Sequence, residues 1–578
     1  MHIEQIIAEK SPNFLQKHPL FTRPTLEILK HLFHEQEVNR FLDENKDCLG
    51  FEFIDRVLNH FNFNYQVSQI DRRNIPAIGR VIIIANHPLG ALDGLALLRL
   101  VGEVRSDVKI IANDMLMHFD ALKNLILPVD NLSGKSSSKQ LKNIIDCLRK
   151  EEAVIIFPAG EVSRLSPSGI KDQKWSASYL KLAQKTNSPI LPVYINGRNS
   201  LLFYTSSIIY RPLSTIQLAH EMFKQQNRHV PIQVGQPIPI QELAKLPLSD
   251  KEKNKLVKRH LYRIAKGKKP LLQTETTISH PQDRKLIKTE LTNSEYLGCT
   301  KDGKHIYLFD YLDQSATIKE IGRLREMAFR TVGEGTGQSS DLDKFDQYYR
   351  HLVLWDEDQL EIVGAYRIGE INKYIKDGSS HAIYTEELFQ LSPDMMPYLE
   401  QGVELGRSFV QPKYWGKRSL DYLWYGIGAY LNRHPEVRYL FGPVSLSNNY
   451  PQLAKDLIVH FYSLYFPDPD ALAVSFTPYQ IALENKDYVS ALFTGARYEE
   501  DFRILKEQLS HLNVSVPTLY KQYSELCEHN GVRFLDFGVD ADFGFCIDGL
   551  VLVDLQKVKE LKNNRYRGIS NHMDTELH

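Results

Sequence analysis

Four short apolar runs, Val81–Ala85, Val108–Ala112, Ala153–Phe157 and Ile190–Ile195, lack the apolar/polar alternation of a strand with one wet face. An unbroken run implies burial on both faces, the condition of a parallel strand between two helical layers. Segments at helical spacing, "KQLKNIIDCLRK" and "WSASYLKLAQKT", separate the runs and can serve as crossovers. An α/β domain is therefore expected over residues 76–270. Ahead of it, "LEILKHLFHEQEVNRFLDE" and "FIDRVLNHFNF" predict a helical lead-in over 1–75.

At 578 residues the chain is longer than one core usually serves, so a second domain is expected. The stretch "KEKNKLVKRHLYRIAKGKK" carries nine Lys or Arg against one Glu, and the polar, Pro-containing residues after it read as a linker over 271–290. The remainder, 291–578, opens with the strand-like "KHIYLFDYL", continues with a hairpin pattern in "HLVLWDEDQLEIVGAYRI", and reads as α/β too. A net charge of −1 argues against a surface built for nucleic acid. Five scattered cysteines (Cys48, Cys147, Cys299, Cys527, Cys546) suggest neither disulfides nor a metal site, and point to a reducing compartment. "MHIEQIIAEKSPNF" lacks signal-peptide character, and no apolar run approaches the roughly 18 residues of a membrane span, so any membrane contact is expected at the surface.

The first chemistry-bearing stretch is "VIIIANHPLGALDG". His87 and Asp93 lie just past a buried strand, where α/β sheets place ligands. A carboxylate reaching the imidazole would fix its tautomer and leave the other nitrogen to take a hydroxyl proton, help worth about 10²–10⁴ in rate. A strand-end histidine followed by a helix-capping aspartate would look the same. "VIIFPAGEVSR" and "ILPVYINGR" end two further strands in polar turns, and three such ends suggest one shared site.

These blocks, Asn86-His87…Asp93, Phe157-Pro158-Ala159-Gly160-Glu161 and Leu191-Pro192-Val193, resemble those of the glycerophospholipid-type O-acyltransferases. The resemblance implies that His87 is the base for the acceptor hydroxyl and Asp93 its orienter. It further implies that Asn86, Gly160, Glu161 and Arg164 contact the acceptor, and that the donor is an acyl thioester. The chain departs from the family pattern by five residues rather than four between His87 and Asp93, and by Ala159 where Glu is usual. Both departures suit the divergent, haemolysin-like branch.

In the second half, "RLREMAFRTVGEG", "SDLDKFD", "VGAYRIGE" and "VELGRSFV" place Arg325 and Phe329, then Asp341, Asp343 and Asp346, then Gly364 and Arg367, then Glu404 and Arg407. This order resembles the acyl-homoserine-lactone synthases, which have the fold of the GNAT N-acyltransferases and move an acyl chain from acyl carrier protein to an amine. An amine must lose a proton before attacking a thioester, which makes Glu404 and Asp341 candidate bases. Arg325, Arg367 and Arg407 could hold those carboxylates or the substrate's own. Gly416, Lys417, Arg418 and Ser419, ahead of a predicted helix, are the candidate acyl-donor contacts.

The two domains together resemble the bifunctional ornithine lipid synthases of bacteria. That resemblance implies N-acylation of ornithine with a 3-hydroxyacyl chain by the C-terminal domain, then O-acylation of the lyso-ornithine lipid by the N-terminal domain. The implied donor is an acyl-carrier-protein or CoA thioester, with no permanently bound cofactor. The implied setting is the inner face of the cytoplasmic membrane, with the basic stretch Lys251–Lys269 and "MLMHFDALKNLILPV" as contact candidates. Docking of an acidic carrier protein is the other use of the basic stretch. A fused lysophospholipid acyltransferase whose partner domain acylates glycine is the enzymatic alternative, and a membrane-perturbing protein without chemistry the other.

Overall fold

A computed structural model describes residues 27–567 except 28–29, 32–33, 114–115, 118, 130–137, 167–168, 210–217, 219 and 377–382. The first 26 residues of the expected lead-in thus lie outside it, as do Met115 and His118 of the apolar contact candidate. The chain divides into unit 1, Met1–His280, and unit 2, Pro281–His578.

Unit 1 begins with helices α1 (Glu35–Glu44) and α2 (Gly50–His60). Its strands are β1 (Asn64–Gln66), β2 (Val81–Ala85), β3 (Val108–Asn113), β4 (Ile126–Val129), β5 (Ala153–Ile156), β6 (Arg164–Ser166), β7 (Gly169–Lys171), β8 (Ile190–Ile195) and β9 (His229–Val234). Helices α3 (Ala91–Gly102), α4 (Ser138–Arg149), α5 (Ser178–Thr186) and α6 (Asp250–Ile264) complete the frame. Seven strands form one sheet in the order β1-β9-β8-β2-β5-β3-β4. The four apolar runs are its centre and pair in parallel. Every residue of β2 is buried, with Ile83 and Ala85 in the core shared with α2 and α3, and Ile82 and Ile84 in the core of α4, α5 and α6. This two-sided burial is the reason the run does not alternate.

Two local expectations differ. β1 interrupts the helical lead-in, because three residues show no period of their own and gain strand geometry by pairing with β9. The apolar segment ahead of β4 is a 3₁₀ helix, Asp120–Leu125, followed by that strand, and Leu122, Leu125 and Ile126 are core residues. The basic stretch is largely α6, started by a reciprocal Ser249–Glu252 cap, with Val257 and Leu261 facing the core.

Unit 2 contains β10 (Glu295–Cys299), β11 (Lys304–Phe309), β12 (Arg350–Asp356), β13 (Glu361–Gly369), β14 (Phe389–Leu391), β15 (Gly402–Val410), β16 (Tyr439–Leu446), β17 (Ala473–Ser475), β18 (Val532–Asp540) and β19 (Cys546–Asp554). Helix α7 (Ala316–Val332) covers one sheet face; α8 (Ser419–Arg433) and α9 (Gln452–Tyr465) lie in the larger core on the other. The eight-stranded order is β10-β11-β12-β13-β15-β16-β19-β18. It is a mixed sheet in which β15 and β16 make the parallel pair and the other neighbours run antiparallel.

That parallel pair extends only from Gly402↔Tyr439 to Glu404↔Phe441. Gly442, at φ 148°, lies so close to the Leu405 carbonyl that an added Cβ would stand 2.1 Å from it. Past this contact β15 follows β13 and β16 follows β19, so a wedge opens between them at their C-terminal ends.

Candidate active sites

In unit 1 the end of β2 is tied down on every side. Asn86 donates through Nδ2 to the Ile195 carbonyl (2.9 Å) and accepts from its N–H (2.7 Å), joining the ends of β2 and β8. Asn86, 3% exposed and expected among the acceptor contacts, thus uses its amide to hold these two strand ends together. The His87 carbonyl accepts from Ser163 N (2.7 Å), and its N–H donates to Asp172 Oδ1 (3.2 Å). His87 Nδ1 lies 2.9 Å from Asp93 Oδ1, and Asp93 Oδ2 accepts from the N–H groups of Leu89 (2.8 Å) and Gly90 (3.3 Å). Asp93 therefore caps α3 and stands against the imidazole at once, so the two arrangements coexist.

Burial alone would lower the His87 pKa, but the Asp93 charge and contact, with Asp172 behind them, raise it above the ordinary histidine value. Phe157 stacks on the ring with centroids 4.2 Å apart. His87 also lines a cavity of about 890 Å³ whose walls include Phe41, Phe53, Leu95, Ile110 and Leu122, within the size range of small-ligand sites. Gly160 (φ 66°) and Glu161 belong to the same cavity. Arg164 Nη2 reaches Glu161 Oε2 at 3.4 Å, and its guanidinium stands 5.5 Å from the Phe203 ring.

Sequence reading missed Asp172, which sits between the expected blocks in a hairpin with no motif. It accepts from Ser163 Oγ (2.5 Å) and Trp175 Nε1 (2.8 Å) besides His87 N. Lys258 of the basic stretch donates to the carbonyls of Asp172 (2.8 Å) and Gln173 (2.5 Å), so this lysine supports the site loop.

In unit 2 the expected arginines and aspartates do converge. Arg325 donates to Asp346 Oδ1 (2.7 Å), and Arg367 donates to Asp343 Oδ1 (2.7 Å) with Asp346 Oδ1 at 3.5 Å. Phe329 meets Phe543 edge to face at 5.0 Å. Burial would raise the Asp343 and Asp346 carboxyls, but Arg367 for the first, and Arg325 with Arg367 for the second, hold both below the ordinary range. His351, fully buried and unforeseen, fills the remaining angle: Nδ1 is 3.3 Å from Arg325 Nη2 and Nε2 is 3.2 Å from the Asp346 carbonyl. Burial pushes its pKa down to about 4, so it is a neutral spacer.

Arg407 differs from these. A bulge shifts the β13–β15 register around it, and its φ is 48°, a left-handed value uncommon for a residue with a Cβ. The bulge turns its guanidinium between the rings of Tyr384 (4.8 Å) and Phe543 (4.7 Å). Asp341 and Asp343 stay 3.6 Å away, and Nε has no hydrogen-bond partner among the described residues. Burial raises Asp341, whose Oδ2 likewise lacks a hydrogen bond.

Glu404, expected as a base, has different surroundings. Oε2 accepts from the Tyr349 hydroxyl and from Tyr384 N (3.1 Å), and Oε1 accepts from Thr385 N (2.8 Å) and Oγ1 (2.7 Å). The side chain is fully enclosed, so it has no face for an amine; its contacts fix the segment that carries Tyr384. Of the donor candidates, Gly416 (φ 73°), Lys417 and Arg418 are exposed, and Ser419 is buried at the start of α8. The side chain of its N-cap, Arg418, makes no capping hydrogen bond, which leaves its first N–H groups a place for an anion.

Residues 5–268 match the family described as acyltransferase, and residues 324–425 match the acetyltransferase (GNAT) domain family. The chain is 32% identical over 300 residues to a glycine N(alpha)-acyltransferase of Phocaeicola vulgatus, a match spanning 50% of this chain and 91% of that protein. The chain belongs to the acyltransferases. It is also 31% identical over 250 residues to a lyso-glycine lipid O-acyltransferase of Bacteroides thetaiotaomicron, spanning 42% of this chain and 90% of that protein. An L-ornithine N(alpha)-acyltransferase of Brucella abortus is 30% identical over 147 residues, 23% of this chain and 50% of that protein. This acyltransferase thus joins in one chain what those relatives carry separately, an acyltransferase domain and an N-acyltransferase domain. No helix among its described residues is long and apolar enough to cross a membrane.

Proposed function

We propose that this acyltransferase makes a diacylated aminolipid in two steps, unit 2 placing a 3-hydroxyacyl chain on the α-amine of ornithine and unit 1 esterifying the new 3-hydroxyl. The observation that carries the reading is the pairing of a histidine–carboxylate couple in an apolar cavity with a second, amine-directed domain. The first product supplies the hydroxyl that His87 needs. Asp93 holds Nδ1–H, leaving Nε2 to take the hydroxyl proton as oxygen attacks the thioester. The apolar cavity suits an acyl chain, and Glu161 at its polar edge, with Arg164 3.4 Å from it, suits the acceptor head. Asp172 and Asn86 act by positioning His87. In unit 2 the bulged Arg407 is the arginine free to bind the substrate carboxylate, while Arg325, Arg367 and Glu404 hold the frame. The open N-terminus of α8, with Gly416, Lys417, Arg418 and Ser419, receives the phosphopantetheine of an acyl-carrier-protein or CoA donor.

Ornithine is supported by the surplus of carboxylates around Arg407, which suits an acceptor with a second positive charge. Glycine is the second reading, favoured by the longer matches to the glycine enzymes. Both products are amphiphiles, which places the enzyme on a membrane surface. The test is mass spectrometry of aminolipids from a bacterial host that lacks them and supplies 3-hydroxyacyl donors. Wild type is expected to yield diacylated ornithine lipid. A diacylated glycine lipid instead would establish the second reading, and no aminolipid despite folded protein would sink both.

A further inference from the structure

Asp548 is 6% exposed, yet no N–H or O–H among the described residues donates to it; its close polar neighbour is the Cys546 thiol, 3.9 Å from Oδ1. Buried carboxylates are ordinarily satisfied, as Glu404 is by four donors. Asp548 stands opposite Ser445 in the β16–β19 register, and Ser445 Oγ donates to Glu334 Oε2 at 2.9 Å. Glu334 is 7% exposed and follows Gly333, the left-handed cap of α7. Glu326 pins that turn by accepting from Thr336 N (3.0 Å), Thr336 Oγ1 (2.7 Å) and Gly337 N (3.0 Å). Asp540, opposite Cys546, is engaged by the N–H groups of Asp542 (2.9 Å) and Phe543 (3.2 Å).

These groups lie at the end of the sheet where β15 and β16 part, and the charge of Arg407 on β15 acts on both Asp540 and Asp548. A buried carboxylate reached by a thiol alone among the described residues, and a buried guanidinium that its nearest carboxylates approach to no less than 3.6 Å, leave room for a ligand that brings both charges. A zwitterionic amino acid does so.

We propose that Asp548, seconded by Glu334, receives the ammonium of the acceptor amino acid and takes its proton, while Arg407 holds the acceptor carboxylate. This rests on unit 2 being the amine-acylating unit. The ammonium passes one proton to Asp548. The freed lone pair forms a C–N bond to the thioester carbonyl carbon; the adduct breaks its C–S bond, and the second proton goes to the departing sulfur. Amide and thiol result, and Asp548 returns its proton to solvent.

The groups facing Asp548 are Glu334 from the end of α7, Asp540 from β18, Arg407 from β15, Tyr384 ahead of β14, and Cys546 and Tyr520. Burial, then Asp540 and Glu334, push Asp548 up to about 8 against the opposing pull of Arg407, and burial pushes Glu334 up to about 7. Such values suit a general base working near neutral pH.

The experiment measures kcat/KM for the amino acid against pH on the full chain, with 3-hydroxypalmitoyl-CoA or the same acyl chain on acyl carrier protein, and ornithine or glycine as acceptor. Wild type should rise through an apparent pKa of about 7–8. Asp548→Asn should lose about 10²–10⁴ in rate together with that limb, whereas Glu404→Gln should keep the limb. Glu334→Gln removes a negative neighbour, so its limb should move to lower pH; if Asp548→Asn fails to fold, this shift decides. An active wild type beside an Asp548→Asn enzyme within tenfold of it and with the same limb, or an unmoved limb in Glu334→Gln, overturns the inference alone. A wild type that acylates neither amino acid with either donor overturns the reading of unit 2 as well.

Discussion

Unit 1 sets a single imidazole against one carboxylate at 2.9 Å, and Asn86, Ser163 and Asp172 keep that pair in place. Unit 2 buries several carboxylates and three arginines in one region, and most of that charge is cancelled within it: Asp346 by Arg325 and Arg367, Asp343 by Arg367. The difference follows from the side chains used. An imidazole titrates near neutrality unaided and needs only orientation. A carboxylate has to be deprived of donors and crowded by its own kind before it titrates there, so neighbouring charges must be neutralised or the fold would not tolerate them.

The largest expected effect separates the units. His87→Ala should cut O-acylation of the lyso-lipid by about 10²–10⁴ and leave N-acylation intact, so lipid extracts should accumulate the monoacylated species. Extracts indistinguishable from wild type would remove His87 from the chemistry.

Asp93→Asn tests whether orientation and charge are both required. Asp93 raises the His87 pKa, and the proposed base must be unprotonated, so wild-type O-acylation should be lost as pH falls through that raised value. In Asp93→Asn the limb should move to lower pH while the plateau rate drops, by about 10-fold or more. A plateau loss with an unmoved limb would leave Asp93 as a cap only.

In unit 2, Arg325→Met leaves buried Asp346 with one of its two arginine partners. Breaking one partner of a buried pair costs about 3–5 kcal/mol, so the melting temperature should fall on the order of 10 °C. An unchanged melting curve would mean that the network is not structural.

The smallest effect has the opposite sign. Folded Asp548 keeps a proton up to about pH 8 that the unfolded chain releases near 4, so this group subtracts stability progressively as pH rises between those values. Asp548→Asn should melt several degrees higher than wild type at pH 8.5, with the gap shrinking toward pH 4. A variant less stable at both ends would show that Asp548 is an ordinary structural carboxylate.

Much of this was legible along the chain. The four unalternating runs give the parallel centre of unit 1, because burial on two faces leaves its mark residue by residue. His87 and Asp93 were visible because both lie in one strand–turn–helix connection. Arg325, Asp346 and Arg367 were visible as an ordered set. Asp172, His351 and Glu334 were not, since each gains its meaning from a partner distant in sequence, or from burial that a loop residue does not advertise. Asp548 left a trace: a carboxylate inside "CIDGLVLV", a run apolar enough to be buried throughout.

Periodicity and motif order were thus sufficient for the two-domain α/β plan and for which residue types gather at each site, because both are properties of neighbours along the backbone. Which carboxylate is satisfied and which is starved depends on donors arriving from other elements. Glu404 and Asp548 are both acidic residues in apolar strands, and nothing local tells them apart. Tyr349, Tyr384 and Thr385 reach the first, among the described residues a thiol alone reaches the second, and that long-range difference in hydrogen bonding separates a clamp from the proposed base.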